Sequence, residues 1–201
     1  MAAHDLGAWA PLPLAETVAR FTAAPFRWWI SGGLALELHT GRSWRDHSDT
    51  DVGVLRRDAP GVVSVLAGWD LHVASGGALS PWTGAPLLAD RRQNNVWCRP
   101  DPSSPWCLDL TVADGDDEAW TFRRDPSVRV PWPDAVLETR DGIPYLAPEL
   151  QLLFKSRDRR DKYDVDAREV IPALDPARRA RLGAFLPAGH PWRPLLEAAR
   201  R

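Results

Sequence analysis

Lysine is nearly missing from this chain. Of 25 basic residues in 201, only Lys155 and Lys162 are lysines, and the rest are arginine. An ammonium is a compact point charge and a guanidinium a planar fork, so two lysines seven residues apart in an arginine-rich chain invite a search for a specific role. Cysteine is scarce too. Cys98 and Cys107 are the only two, which excludes a disulfide scaffold, and reduced thiols in strands on either side of a proline-rich bend are the preferred reading. Excess charge is lacking: 25 basic against 27 acidic residues leave a formal net charge of −2. That excludes the strongly basic profile of a dedicated nucleic-acid binder, so any polyanion site must be local. Long apolar runs are absent as well. A stretch such as Phe26 to Leu36 contains an arginine and is about half the roughly 20 residues that span a bilayer. The start of the chain has no basic-then-apolar pattern, and a cytoplasmic protein with no membrane partner is predicted.

What is present is ordinary globular composition, 44% hydrophobic and 26% charged, with eleven tryptophans, most of them expected in the core. Residues 1–13, ending in Pro11 and Pro13, read as a loose arm. Leu14, Val18 and Phe21 fall on one face of a short helix. Phe26 to Ile30 reads as a strand, Ser31-Gly32-Gly33 as a tight turn, and Leu34 to His39 as a helix closed by Gly41. Arg42 to Ser48 is a polar loop leading into a strand from Asp49 to Leu55, whose alternation puts Asp49 and Asp51 on one face. A capped helix over Asp58 to Leu66, a strand over Trp69 to Ala74 and a loop over Ser75 to Pro86 follow. Asn95 to Cys98 and Trp106 to Val112 then form a hairpin. After Pro133 the pattern turns helical, over Leu146 to Arg157, Asp164 to Leu174, Pro176 to Phe185 and Trp192 to Arg200. The predicted division is a mixed α/β core over residues 1–144 and a helical subdomain over 145–201, with no internal repeat.

Two aspartates one residue apart on a strand face lie roughly 6–7 Å apart, close enough to share divalent cations but costly without a counter-charge. An isolated D-x-D is weak, and three features strengthen it here. Ser31-Gly32-Gly33, between a strand and a helix, lets backbone N–H groups approach a phosphate. Arg42, Arg45 and His47 crowd the loop before the carboxylates. Asp109 interrupts the apolar strand Trp106 to Val112, which a buried strand would not choose without a partner. If that strand lies beside the Asp49/Asp51 strand, three carboxylates converge, as two-metal phosphoryl or nucleotidyl transfer requires.

Taken together, Ser31-Gly32-Gly33, Gly41-Arg42, Arg45-x-His47 and Asp49-x-Asp51 resemble the nucleotidyltransferase superfamily of polymerase β type, especially its branch of aminoglycoside 2''-adenylyltransferases and lincosamide nucleotidyltransferases. The resemblance continues through Asp109 and Pro144 to Lys155, covering roughly residues 26–175. It implies an α/β (α+β) nucleotidyltransferase fold, a mixed sheet flanked by helices with a helical C-terminal subdomain. It further implies that Asp49, Asp51 and Asp109 hold Mg²⁺, two ions in all, with Asp109 as base or metal ligand. Ser31, Gly32 and Gly33 would bind the triphosphate of ATP or another NTP. Arg42, Arg45, His47, Lys155 and Lys162 would face the nucleotide or the substrate. The reaction implied is transfer of a nucleoside monophosphate to an acceptor hydroxyl, possibly on an aminoglycoside-like antibiotic, with release of pyrophosphate. Thr50, where the family usually has a bulky aliphatic residue, and the arginine-rich stretch Arg157 to Asp161 depart from the pattern.

Rival readings fare less well. In glycosyltransferases an apolar strand precedes the D-x-D, whereas here a polar loop does. A calcium loop lacks its terminal Glu, and the histidines and cysteines show no zinc spacing. A toxin-type enzyme acting on tRNA or protein, with nucleic acid only as acceptor, and a catalytically inactive nucleotide-binding relative stay open. Asp114 to Glu118 reads as a solvated turn able to attract a polycation, and Trp44 and Trp82 as loop residues able to stack on a ring.

Overall fold

The computed structural model describes residues 6–158 and 160–199. In chain order the elements are α1 (Leu14–Phe21), β1 (Trp28–Ile30), α2 (Gly32–Thr40), β2 (Asp51–Leu55), α3 (Val62–Val65), β3 (Asp70–Ser75), β4 (Ala78–Pro81), β5 (Asn95–Arg99), β6 (Leu108–Gly115), β7 (Ala119–Thr121), β8 (Arg129–Pro131), α4 (Trp132–Ala135), β9 (Val136–Glu138), β10 (Pro144–Leu146), α5 (Pro148–Lys155), α6 (Asp161–Val170), α7 (Pro176–Phe185) and α8 (Arg193–Ala198).

The strands form one mixed sheet in the order β4-β3-β5-β6-β2-β1-β10-β9, with β7 and β8 continuing from β6. β2 runs parallel to β6, and β1 parallel to β10, while the other pairings are antiparallel. Alternation along the central strands sorts their side chains. Val52, Val54, Leu108, Leu110, Val112, Val96 and Cys98 pack into one core with Phe21 of α1, Ala35 of α2 and Val62 of α3. The opposite face carries Asp51, Asn95 and Asp109, half-buried and polar. A one-residue slip of register would exchange the two faces, so this apolar ladder fixes where the carboxylates point.

Proline, at 19 residues, begins helices more often than it breaks them. Pro133, Pro148, Pro176 and Pro194 sit in the first turns of α4, α5, α7 and α8, where a missing N–H costs nothing. A second core joins Trp29, Trp120 and Phe122 to Leu150 and Leu153 of α5, and a third joins Leu152 to α6, α7 and α8, with Leu36 of α2 packed in. Glu149 of α5, fully buried, is held by Arg178 of α7 at 2.8 and 3.1 Å and by Arg181 at 2.8 Å.

Several expectations need correction. The arm is not loose over its described part. Leu12 is buried, Trp9 bridges to Trp106, and Ala10 and Leu12 donate backbone hydrogen bonds to Trp106 and Cys107, each at 2.8 Å. Residues 1–5 of that arm, and Arg200 of the last predicted helix, lie outside the described residues. The strand expected from Asp49 begins at Asp51. The helix expected over Asp58 to Leu66 is a 3₁₀ turn followed by the four residues of α3, and Asp58 makes no side-chain cap. Ser75 to Pro86 contains β4, whose pairing with β3 is backbone-driven and left no apolar alternation to read. The region from Pro133 to Leu146 holds two three-residue strands, too short for periodicity to register. Cys98 and Cys107 are both free and buried.

Glu149→Ala would leave two guanidiniums facing a cavity, and breaking a buried ion pair in this way costs about 3–5 kcal/mol. Thermal unfolding is expected to show a clear drop in Tm, and an unchanged Tm would contradict the role of this cluster in seating α7 on α5.

Candidate active site

The site begins with the parallel pairing of β2 and β6, in which Asp51 is the direct partner of Asp109. Pairing is sealed just before the strand, where Asp109 donates its N–H to the Thr50 carbonyl at 2.9 Å. Thr50 itself points the other way. It is buried and its hydroxyl donates to the Leu12 carbonyl at 2.7 Å, so the departure from an aliphatic residue serves to tie the N-terminal segment to the sheet. Asp49, although outside the strand, lines the same cleft as Asp51 and Asp109.

Two like charges side by side are costly. Burial, and then the charge of Asp49, push the Asp51 carboxyl up to about 7 against pulls from Lys155, Lys162 and Arg45. Burial and the Asp51 charge push Asp109 well upward, partly offset by Asn95, whose side-chain amide donates to both carboxylate oxygens at 3.1 and 2.9 Å. A carboxylate pair in this state binds a proton or a cation at neutral pH.

The Ser31-Gly32-Gly33 turn stands directly over these groups. Ser31 donates its N–H to the Asp51 carbonyl at 2.9 Å. Gly32 has φ +68°, and a Cβ there would land on the Asp51 carboxylate, while one on Gly33 would overlap the His47 ring. Glycine is required at Gly32 both for its left-handed backbone and for that close approach. The turn opens α2, whose first-turn N–H groups face an anion site in principle, and the Gly32 N–H is held by Gln151 Oε1 of α5 at 2.9 Å.

The cleft, about 360 Å³ in all, is walled on its other side by the α5–α6 region. Its anchor is Asp166 of α6, fully buried. Its carboxylate takes Arg45 Nε at 2.8 Å and Nη2 at 3.0 Å, Lys155 Nζ at 2.9 Å and the Trp44 indole N–H at 3.0 Å. These partners hold Asp166 below the usual carboxylate range despite its burial. Lys155 is buried, which lowers its pKa, and lies 4.4 Å from the centre of the Tyr163 ring. Lys162 lies 5.8 Å from the same ring.

Of the residues singled out in the sequence, Ser31, Gly32, Gly33, Arg45, His47, Asp49, Asp51, Asp109, Lys155 and Lys162 all line this cleft. His47 Nδ1 is 3.2 Å from Arg45 Nη1, and its Nε2 is 3.0 Å from Glu37 without the alignment of a hydrogen bond. Arg42 does not join them: it is exposed and pairs with Glu169 of α6 at 2.7 Å. Trp44 is occupied by Asp166, and Trp82 is buried with its N–H on the Ala85 carbonyl at 2.7 Å, so neither offers a face to a ring in the cleft. The sequence reading missed Asn95, Arg123, Gln151 and Asp166. The last two carried a signal, a polar residue inside an apolar helical stripe (Gln151 between Leu150 and Leu152, Asp166 before Ala167 and Val170).

The donor set fits a hard cation in kind and charge: all-oxygen, adjacent, half-buried and under-compensated. Among the described residues no three His, Cys, Asp or Glu side chains form a ready-made metal cluster, so the site is a carboxylate pair with Asp49 beside it.

Gly32→Ala would both strain the backbone and displace the Asp51 carboxylate. A misplacement of about 1 Å in such a site costs roughly 100-fold in rate, so a folded variant with undiminished activity would contradict the close approach described here.

Residues 13–74 match the family model of aminoglycoside-2''-adenylyltransferase. A comparison with curated protein sequences finds no match. Among solved structures, the lincosamide antibiotic adenylyltransferase LnuA, bound to lincomycin, is similar at TM-score 0.55 and 20% identity, covering 80% of this chain and 96% of its own. ANT(2'')-Ia in complex with adenylyl-2''-tobramycin is similar at TM-score 0.58 and 15% identity, covering 86% of this chain and 94% of its own. The solution structure of ANT(2'')-Ia gives 0.57 at 16% identity, covering 85% and 87% respectively. The chain therefore has the fold of the antibiotic adenylyltransferases, a nucleotidyltransferase fold, and its residues 13–74 match the aminoglycoside-2''-adenylyltransferase family model.

Proposed function

We propose that this protein is a nucleotidyltransferase that moves a nucleoside monophosphate, AMP from ATP, onto an acceptor hydroxyl and releases pyrophosphate. The observation that carries the reading is the pairing of Asp51 with Asp109 beneath the positive-φ glycine of the Ser31–Gly33 turn. Asp49, Asp51 and Asp109 would hold Mg²⁺, which when bound supplies charge neutralisation and Lewis acidity at the reacting phosphate. The small residues of the turn and the start of α2 receive the triphosphate. Lys155 and Arg45, held in place by Asp166, and Lys162 offset its charge from the opposite wall.

Asp109 is the base. Burial and the Asp51 charge raise its affinity for a proton, the direction a general base needs. The acceptor oxygen attacks the α-phosphorus, the bond to the bridging oxygen of pyrophosphate breaks, and the acceptor proton passes to Asp109. Atoms and charge balance as acceptor hydroxyl plus ATP giving acceptor-O-AMP, pyrophosphate and a proton. The structural neighbours LnuA, bound to lincomycin, and ANT(2'')-Ia, in complex with adenylyl-2''-tobramycin, support a small-molecule acceptor over a macromolecule. The helical segment 145–201 functions in this reading as the wall that closes the nucleotide site, contributing Gln151, Lys155, Lys162 and Asp166.

Asp109→Asn is expected to reduce the chemical step by about 10²–10⁴-fold while leaving nucleotide binding largely intact. Pyrophosphate release with Mg²⁺-ATP and a panel of hydroxyl-bearing antibiotics measures the first, and titration with ATP the second. A variant that loses only ATP affinity would contradict the assignment of Asp109 as base.

A further inference from the structure

The cations of the cleft come from two sides. Lys155, Lys162 and Arg45, the groups assigned above to the nucleotide, line it from α5, α6 and the loop before β2. Arg123 lines it from the sheet side, tied to β6, the strand that carries Asp109. Arg123 follows β7, lines the cleft, and is half-buried. Its Nη1 donates to the Val112 carbonyl on β6 at 3.2 Å, and its guanidinium carbon lies 4.9 Å from the centre of the Phe154 ring. That single carbonyl bond leaves most of its five N–H donors unspent. Among the described residues no carboxylate forms an ion pair with it, and the neighbouring charges of Arg124 and Arg56, after burial, lower its pKa.

A half-buried guanidinium without a carboxylate, anchored to the strand whose Asp109 receives the acceptor's proton in the proposed reaction, is poor preparation for a polyamine. The acidic side chains that could attract one are committed elsewhere. Asp114 pairs with Arg56 at 2.6 Å, Asp116 with Arg129 at 2.6 Å, and Asp117 with Arg57 at 2.6 Å, all outside the cleft. Asp158, at the cleft wall, pairs with Arg124 at 3.2 Å. The remaining acids of the cleft are the three assigned to the metal.

We infer that Arg123 binds an anionic group of the acceptor, so that the hydroxyl-bearing substrate of this cleft carries a carboxylate or phosphate and is not a polycationic aminoglycoside. The inference rests on the nucleotidyl-transfer reading, in which the acceptor lies on the Asp109 side and the triphosphate on the Asp51 side. It makes Arg123 a specificity-determining residue, with planar donors suited to a two-oxygen anion.

Inorganic phosphate serves as the probe. Wild type, Arg123→Gln and Arg123→Lys, each saturated with Mg²⁺ and a non-hydrolysable ATP analogue, are titrated by calorimetry with phosphate and, separately, with tobramycin. Phosphate is expected to bind the saturated wild type and to lose about tenfold or more of its affinity in Arg123→Gln, since one charge-assisted contact is worth roughly that factor. Arg123→Lys should recover part of the loss, analogue affinity should stay within about twofold, and tobramycin should bind more weakly than phosphate. Phosphate binding that is unchanged in Arg123→Gln, absent from the saturated wild type, or seen only before the analogue is added would overturn the inference, the last by returning Arg123 to the nucleotide. Tighter binding of tobramycin would overturn it equally. Failure of the analogue itself to bind wild type would remove the nucleotidyl-transfer reading first, an outcome visible before any phosphate is added.

Discussion

Everything in this molecule's cleft follows from one pairing, the parallel alignment of β2 with β6. It sets Asp51 beside Asp109, an arrangement that two isolated carboxylates resist through mutual repulsion and loss of hydration. The apolar partners Val52–Leu110 and Val54–Val112 along the same two strands, all fully buried, hold the register against that resistance. Hydrophobic burial of roughly 1.5–3 kcal/mol per such side chain thus maintains a local electrostatic strain, and the strain in turn makes the site receptive to a cation. The protein contributes a partial answer of its own in Asn95, whose amide bonds Asp109, and in the cations of α5 and α6.

Those cations are oriented by a carboxylate that never reaches the cleft surface. Asp166 gathers Arg45 from the loop before β2, Lys155 from the end of α5 and the Trp44 indole on its two oxygens. It therefore joins the sheet's active loop to the helical layer, and the same junction is reinforced by Gln151 on the Gly32 N–H. A fully buried anion with several charge-assisted partners tolerates burial where an unpaired one would not. The two lysines that stand out in an arginine-rich chain have thus come to lie in one small space, Lys155 against Asp166 and Tyr163, and Lys162 beside the same ring. A flexible ammonium can contact one oxygen at a time, which in the proposed reading would suit a wall that meets phosphates in more than one position.

How much of this was legible in the sequence divides along physical lines. The Asp49-x-Asp51 motif, the glycine turn and the α2 helix with its Gly41 cap were readable because each depends on neighbours in the chain, the helix ending in a left-handed cap at φ 72°, although the alternation expected to put Asp49 and Asp51 on one strand face does not hold, since the strand starts only at Asp51. Asp109 was readable as a charge that its apolar strand could not otherwise justify. Asn95, Gln151 and Asp166 act only across the fold, on partners 14, 119 and 121 residues away, and Arg123 carries no local signal at all. Arg42 illustrates the converse. Composition placed it with Arg45 and His47, but three residues are enough to turn its side chain outward to Glu169. Short strands such as β9 and β10 form because β1 offers an edge, not because their residues alternate.

The central claim is that the carboxylates of Asp49, Asp51 and Asp109 form a metal-dependent triphosphate site. Calorimetric titration of the wild type and of the Asp49→Asn/Asp51→Asn double variant with a non-hydrolysable ATP analogue, with and without Mg²⁺, tests it most directly. Binding that requires Mg²⁺ in the wild type and disappears in a folded double variant is the predicted result. Equal affinity in the two proteins, or affinity indifferent to Mg²⁺, would contradict it.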